Sequence, residues 1–378
     1  MKVARRSVVE WAGMVGLLLA LAGIAGVLVM LSGIVSIKAS SGHWPITAWV
    51  LDFAKVRSVS THALGLEVPV QADPVLVLQG AGQYEAGCAP CHGAPDMRMP
   101  TVMGAMTPAP PHLPPKLARW DAQELFYIVK HGIKFTGMPA WPAQGRDDEV
   151  WAVVAFLLAL PELDAAEYRR LVHGAGRAPT GGELAARLAA PCGRCHGADG
   201  RGRELPAFPK LAGQKRRYLS NALLAYAQGT RHSGVMQPIA AALTADERQR
   251  LAAYYSELPP DDGAARAAAA GAQGAAIARG EAIARKGLPG QGIPSCIDCH
   301  GPGAQPRNAA YPLLAGQPAR YLRLQLNLFA TKRRGGSPFA HLMERVTSRL
   351  TREQMHDAAS YYESLAGRQA KPGEARAR

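Results

Sequence analysis

The apolar and polar positions divide this chain into one uninterrupted apolar run and a much longer helical pattern. Trp11 to Ile37 is apolar and uncharged, long enough to cross a bilayer with some tilt. Lys2, Arg5 and Arg6 precede it, which places the N-terminus in the cytoplasm. A cleaved signal peptide would have a shorter apolar core and a small-residue cleavage site, for which Lys38-Ala-Ser-Ser-Gly42 is only a faint candidate. The length favours an uncleaved anchor over residues 1–38. Gly16 with Ala20 and Ala22 with Gly26 have the spacing of small residues at helix contacts in lipid, a weak signal in a single anchor.

No later stretch alternates apolar and polar residues, so strands are not expected and the fold class reads as all-α. Residues 39–75 read as a juxtamembrane linker. Trp44, Trp49 and Phe53 suit a membrane interface there, with Trp49 to Val56 as a short amphipathic turn and His43 and His62 as interfacial polar residues. A short helix is expected from Gly80 to Cys91. The proline-rich stretch Pro108 to Pro115 cannot be regular structure, because proline removes backbone donors. Helices are expected over Asp121–His131 and from Asp147-Asp148-Glu149 to Leu160, the second with acidic residues in its first turn and Pro161 after its end. Thr244-Ala-Asp-Glu247 and Thr351-Arg-Glu-Gln354 are capping boxes, each followed at one offset by a tyrosine pair, Tyr254-Tyr255 and Tyr361-Tyr362. An alanine-rich linker runs from Asp261 to Gln273, and residues 368–378 form a polar tail.

With 378 residues the chain has room for two or three domains. Its formal charge is +14 at pH 7, and Arg320, Arg323, Lys332, Arg333, Arg334, Arg345, Arg349 and Arg352 cluster in the last third. This is either a solvated basic face or a docking surface for an acidic redox partner or anionic lipid. No nucleic-acid recognition motif accompanies the charge, so nucleic acid is not expected as a partner.

All six cysteines fall in three copies of one motif: Cys88-Ala-Pro-Cys91-His92, Cys192-Gly-Arg-Cys195-His196 and Cys296-Ile-Asp-Cys299-His300. Successive copies lie 104 residues apart. Cys-x-x-Cys-His is the attachment signature of c-type haem. The two thiols add across vinyl groups on one porphyrin edge, and the adjacent imidazole becomes the proximal iron ligand. Zinc would need further soft ligands that no additional cysteine supplies, and thioredoxin-type sites lack a βαβ pattern here. Three covalently bound haem c groups are expected, in modules over residues 76–165, 175–260 and 275–367. Each haem supplies apolar interior to a domain too small to build a large core of its own. Its propionates also make the surface less basic than the sequence implies.

The second axial ligand decides between electron transfer and small-molecule chemistry. Met138 in Gly137-Met138-Pro139 is the candidate in module one, with Met97, Met99, Met103 and Met106 as nearer residues suited to packing at the haem edge. Met236 is the candidate in module two, against His232. Met343 is the candidate in module three, against His341 two residues away, with Met355 inside the closing helix. Methionine ligation raises the reduction potential relative to two histidines, which suits late steps of a respiratory chain.

Modules two and three share Leu-Ala-Gly-Gln at 211–214 and 314–317 and Arg-Tyr-Leu at 217–219 and 320–322, as a duplicated pair would. Phe208 to Gln214, the Met236 segment, Leu243 to Tyr255, Gly280 to Ile283 and Gly292 to Cys296 resemble the two halves of dihaem cytochrome c4. Module one resembles the monohaem class I domains of membrane-bound respiratory cytochromes, through Glu124-Leu-Phe, Lys130-His-Gly-Ile133, Thr136 to Trp141 and Asp148-Glu-Val-Trp151. The resemblance implies one transmembrane helix followed by three tandem class I cytochrome c domains. It implies an electron carrier rather than an enzyme, held on the inner membrane with its haem domains in the periplasm. Electrons would pass from a quinol-oxidising complex towards a terminal oxidase, with soluble redox proteins as further partners. The alternative is the cytochrome subunit of a periplasmic dehydrogenase complex of the alcohol-oxidising type, passing electrons to quinone. A haem peroxidase or gas sensor would need an open haem face, and each module offers a sixth ligand.

Overall fold

The computed structural model describes residues 2–69, 73–95, 97–174, 183–261, 274–302 and 307–366. Residues 262–273 of the expected linker and the tail 368–378 lie outside them. Helix α1 (Lys2–Ser32) is followed by α2 (Pro45–Ala63). Module one then contains α3 (Pro74–Gly87), α4 (Ala89–His92), α5 (Thr101–Gly104), α6 (Ala122–His131), α7 (Asp147–Ala159) and α8 (Ala165–His173). Module two contains α9 (Glu183–His196), α10 (Arg216–Ala227), α11 (Met236–Ala241) and α12 (Ala245–Glu257). Module three contains α13 (Gly274–Lys286), α14 (Ile297–His300), α15 (Ala319–Ala330), α16 (Ala340–Thr347) and α17 (Arg352–Ser364). Among the described residues only three isolated β-bridges occur, so the all-α expectation holds.

Within α1, Val9–Ser32 has a mean hydropathy of 2.7 and leaves its side chains exposed, a span long and apolar enough to cross a membrane. The helix stops five residues before Ile37, where the Ser32 hydroxyl donates to the Val29 carbonyl at 2.7 Å. Beyond it the expected short turn at Trp49–Val56 is instead the 19-residue helix α2, which Pro45 opens. Its length comes from tertiary packing on α6. Val59 and Ala63 are buried, Ser60 donates to Glu124 at 2.5 Å, and His62 stacks on Tyr127 at 5.5 Å. His62 therefore belongs to module one rather than to a membrane interface, whereas Trp44, Trp49 and Phe53 at the other end stay exposed.

The core of module one is the crossing of α3 with α7, built on Leu78, Tyr84, Val150, Val153 and Phe156. Gly80 sits at the crossing, where any side chain would collide with the Ala152 carbonyl and the Phe156 side chain. Helix α8, opened by a capping box at Asp164, adds buried Tyr168 and Val172, so this core continues beyond residue 165. Module three repeats the crossing with α13 and α17, and Gly280 presses on the Asp357 carbonyl and Tyr361. The capping boxes at Thr244 and Thr351 form as the sequence predicts. The tyrosine pairs after them stack edge to face, at 5.1 Å for Tyr254–Tyr255 and 5.4 Å for Tyr361–Tyr362.

Modules two and three meet through reciprocal contacts. The Gln214 amide accepts from the Leu313 N–H at 2.8 Å and donates to the Leu313 carbonyl at 3.0 Å. Gln317 makes the same two bonds with Lys210, at 3.0 and 2.7 Å. Each partner lies 103 residues beyond its counterpart, so the pair has the self-complementary arrangement of a two-fold interface.

Candidate haem sites

Each Cys-x-x-Cys-His segment is helical at its histidine, as the last turn of α9 in module two and as the separate turns α4 and α14 in the other modules. A glycine with positive φ follows each histidine, Gly93, Gly197 and Gly301, and turns the chain away. The chain then returns beneath the imidazole. His92 Nδ1 lies 2.9 Å from the Pro111 carbonyl, His196 Nδ1 2.9 Å from Pro209, and His300 Nδ1 3.0 Å from Pro312. A carbonyl only accepts, so Nδ1 carries the hydrogen and the Nε2 lone pair is left for a metal. A ligating histidine is commonly oriented in this way. Burial holds all three imidazoles below the usual range, His300 at about 4, against the opposing pull of the carbonyl bonds. They are thus neutral donors. The sequence reading did not find these carbonyls, although the Pro-x-Leu shared by Pro111, Pro209 and Pro312 was a usable signal.

The thiols separate thioether attachment from dithiol redox chemistry. A redox-active pair needs a thiolate favoured by its surroundings. Here burial does the opposite, pushing Cys88 up to about 12 and Cys195 and Cys296 to about 11, with Cys192 and Cys299 also raised. Paired thiols, half-buried except for the exposed Cys299, beside an oriented imidazole fit a covalently attached haem.

A second observation concerns charge. Arg231 and Arg334, 5% and 7% exposed, lie between modules two and three with no carboxylate partner among the described residues. Arg334 donates to Gln325 at 2.7 Å and Arg231 to the same oxygen at 3.3 Å, while the Tyr218 hydroxyl lies 3.4–3.5 Å from both. Buried cations need compensation, and haem propionates would bring anionic groups of the right sign. The basic cluster of the last third is therefore not one free face. Arg334 is buried, Arg320 pairs with Asp73 ahead of α3, and Arg333 reaches the Gly145 carbonyl at 3.4 Å.

The three candidate methionines share one spacing, although Met138 lies in a loop, Met236 opens α11 and Met343 sits within α16. Met138, Met236 and Met343 each stand eight residues before the N-cap of a closing helix, Arg146, Thr244 and Thr351 respectively. All three are half-buried. Their rivals sit elsewhere: His232 and His341 are exposed, and the His232 carbonyl is occupied by Arg146 at 2.8 Å. Met355 is buried within α17. In module one, Met103 Sδ lies 3.7 Å from Cys91 Sγ and Met106 packs against Gly137.

Residues 76–157 match the family model of cytochrome c oxidase, cbb3-type, subunit III, and residues 183–259 match that of cytochrome c. The chain is 39% identical over 184 residues to a thiosulfate dehydrogenase electron acceptor of Thiomonas intermedia, covering 49% of this chain and 82% of that protein. It is 32% identical over 225 residues to a thiosulfate dehydrogenase electron acceptor of Stutzerimonas stutzeri, covering 60% and 94%. With cytochrome c4 of Pseudomonas aeruginosa it shares 33% identity over 196 residues, covering 52% and 92%.

Proposed function

Since this chain belongs to the cytochrome c4 family and carries three haem c sites, we propose that it is a membrane-anchored periplasmic electron carrier delivering electrons towards a terminal oxidase. The α1 helix would sit in the inner membrane, with the three modules outside the cytoplasm. Met138, Met236 and Met343 would serve as sixth ligands opposite His92, His196 and His300. The observation that carries this reading is the repeated pair in every module, an imidazole with Nδ1 committed to a carbonyl and a methionine eight residues before a helix cap. Two protein ligands per iron suit electron transfer rather than substrate binding.

When bound, haem supplies one-electron iron chemistry between ferrous and ferric states. The chain's own residues do the rest. Proline carbonyls fix the imidazoles, and each candidate methionine precedes a closing helix by the same eight residues. The match of residues 76–157 to an oxidase subunit supports an oxidase as acceptor, and the relatives named as electron acceptors support a dehydrogenase as donor.

Purifying the full-length chain from detergent-solubilised membranes tests this. Co-purification of a copper–haem oxidase, with oxygen uptake on adding reduced protein, is expected. Capture of a quinoprotein or flavoprotein dehydrogenase with quinone reduction and no oxidase would instead favour the dehydrogenase-subunit reading. Peroxide turnover at a five-coordinate haem would overturn both.

A further inference from the structure

Module one and module two are joined by more than chain connectivity. On one side, α3 runs beside the attachment motif of module two. A Cβ built on Gly82 would lie 2.8 Å from Cys195 Sγ and 3.6 Å from the Phe208 ring, and would meet nothing in module one. Gln79, one turn earlier, donates its side-chain amide to the Ala207 carbonyl. Arg203 bridges the same seam, donating to the Arg194 carbonyl within the motif and to the Arg170 and Leu171 carbonyls of α8 at 3.2 Å.

On the other side, the loop after Met138 meets the loop before Met236. Glu149 accepts from the Ser233 hydroxyl and the Gly234 N–H, each at 2.6 Å, and from the Trp141 indole at 3.1 Å. The Trp141 ring covers Gly234 so closely that no side chain fits there. Module one thus touches module two both at its cysteine edge and at its methionine loop. The equivalent cysteine in module three, Cys299, is exposed.

We propose that this seam is a built-in electron junction, with α3 at Gly82 docked against the Cys195 edge and Trp141–Glu149 clamping the Met236 loop, so that modules one and two exchange electrons without a diffusing partner. One electron crosses per event, oxidation at module one balancing reduction at module two, and no bond is made or broken. The inference rests on the haem reading above and adds the order in which the modules connect. Gly82 is a positioning residue, and its lack of a side chain is what permits the approach.

The test uses the full-length holoprotein and Gly82→Leu, which adds volume only at the seam. Three haems per chain and unchanged visible spectra are expected, with a larger radius of gyration by X-ray scattering. Electron redistribution between modules one and two, followed by freeze-quenched paramagnetic resonance after flash reduction, should slow by about tenfold or more as a fixed contact becomes a tethered encounter. Exchange between modules two and three should not change. The double variant Gln79→Ala with Arg203→Ala loosens the seam without adding bulk and should act in the same direction. Unchanged scattering and unchanged exchange in both variants would overturn the junction, whereas fewer than three haems in the wild-type chain would overturn the haem reading itself.

Discussion

The imidazole of each attachment motif is set by a backbone carbonyl, so its orientation survives most side-chain changes, and the methionine proposed as its counterpart is the exchangeable part. Met343→Ala is therefore expected to abolish the ferric His/Met charge-transfer band of one haem near the red edge of the spectrum and to create carbon monoxide binding. His341→Ala should leave both unchanged, because that side chain is exposed. The reverse pattern would make His341 the ligand. The buried guanidiniums act through charge. Burial and the neighbouring Arg231 already hold Arg334 below the usual arginine range. A cation in the low-dielectric seam disfavours the ferric charge, so Arg334→Gln should lower the potential of the module-three haem by tens of millivolts in a spectroelectrochemical titration. At this scale the sequence was informative about covalent chemistry, since cysteine, histidine and methionine advertise themselves. It marked Pro111, Pro209 and Pro312 only faintly, through a shared Pro-x-Leu, because their contribution is a carbonyl that every residue possesses.

Helices were legible where they carry their own boundary signals. Asp121, Thr244 and Thr351 form the reciprocal caps that their sequences specify, and α7 begins at its acidic triplet. Helix α2 was not legible as a helix of that length, because its two halves obey different environments: exposed aromatics at one end, and Val59, Ser60 and Ala63 against α6 at the other. Helix α8 was missed because Tyr168 and Val172 find their partners on α3, far away in sequence. The crossings of α3 with α7 and of α13 with α17 yield a sharp expectation. Gly80→Val and Gly280→Val insert atoms against a backbone carbonyl, which cannot rotate aside. Each should destabilise its own module by about 1–3 kcal/mol or more, read as a lower midpoint in chemical denaturation, with the other modules' haem spectra unaffected. Thr351→Ala, which removes only the cap of α17, should cost about 1 kcal/mol by the same measurement.

The equal spacing of the three motifs suggests beads on a string, but the structure is a docked assembly of module one with a two-fold pair. Nothing local in the sequence encodes docking. Gln214 and Gln317 look like ordinary surface glutamines until each is seen bonding the other module's backbone, and the basic residues of the last third look like one face until Arg320 and Arg334 turn inwards. The Asp73–Arg320 pair is the contact that ties module three to the segment entering module one, and its pH dependence has a definite sign. Burial pushes the Asp73 carboxyl up, but the Arg320 bond and charge and the Val75 N–H together leave it below the usual carboxylate range. A carboxylate whose folded value is depressed contributes its stability above the unfolded value of about 4 and loses it as pH falls through the folded value. Asp73 also caps α3 by accepting from the Val75 N–H at 2.8 Å, and asparagine caps equally well. Asp73→Asn therefore removes the charge while keeping the cap. At neutral pH and low salt it should lower stability by no more than about 1 kcal/mol, because the pair is partly solvated. The difference should shrink in high salt and vanish in acid, where wild type is itself protonated. A gap between variant and wild type that persisted at the acid limit would assign the effect to the cap, and the ion pair would then contribute nothing to holding module three in place.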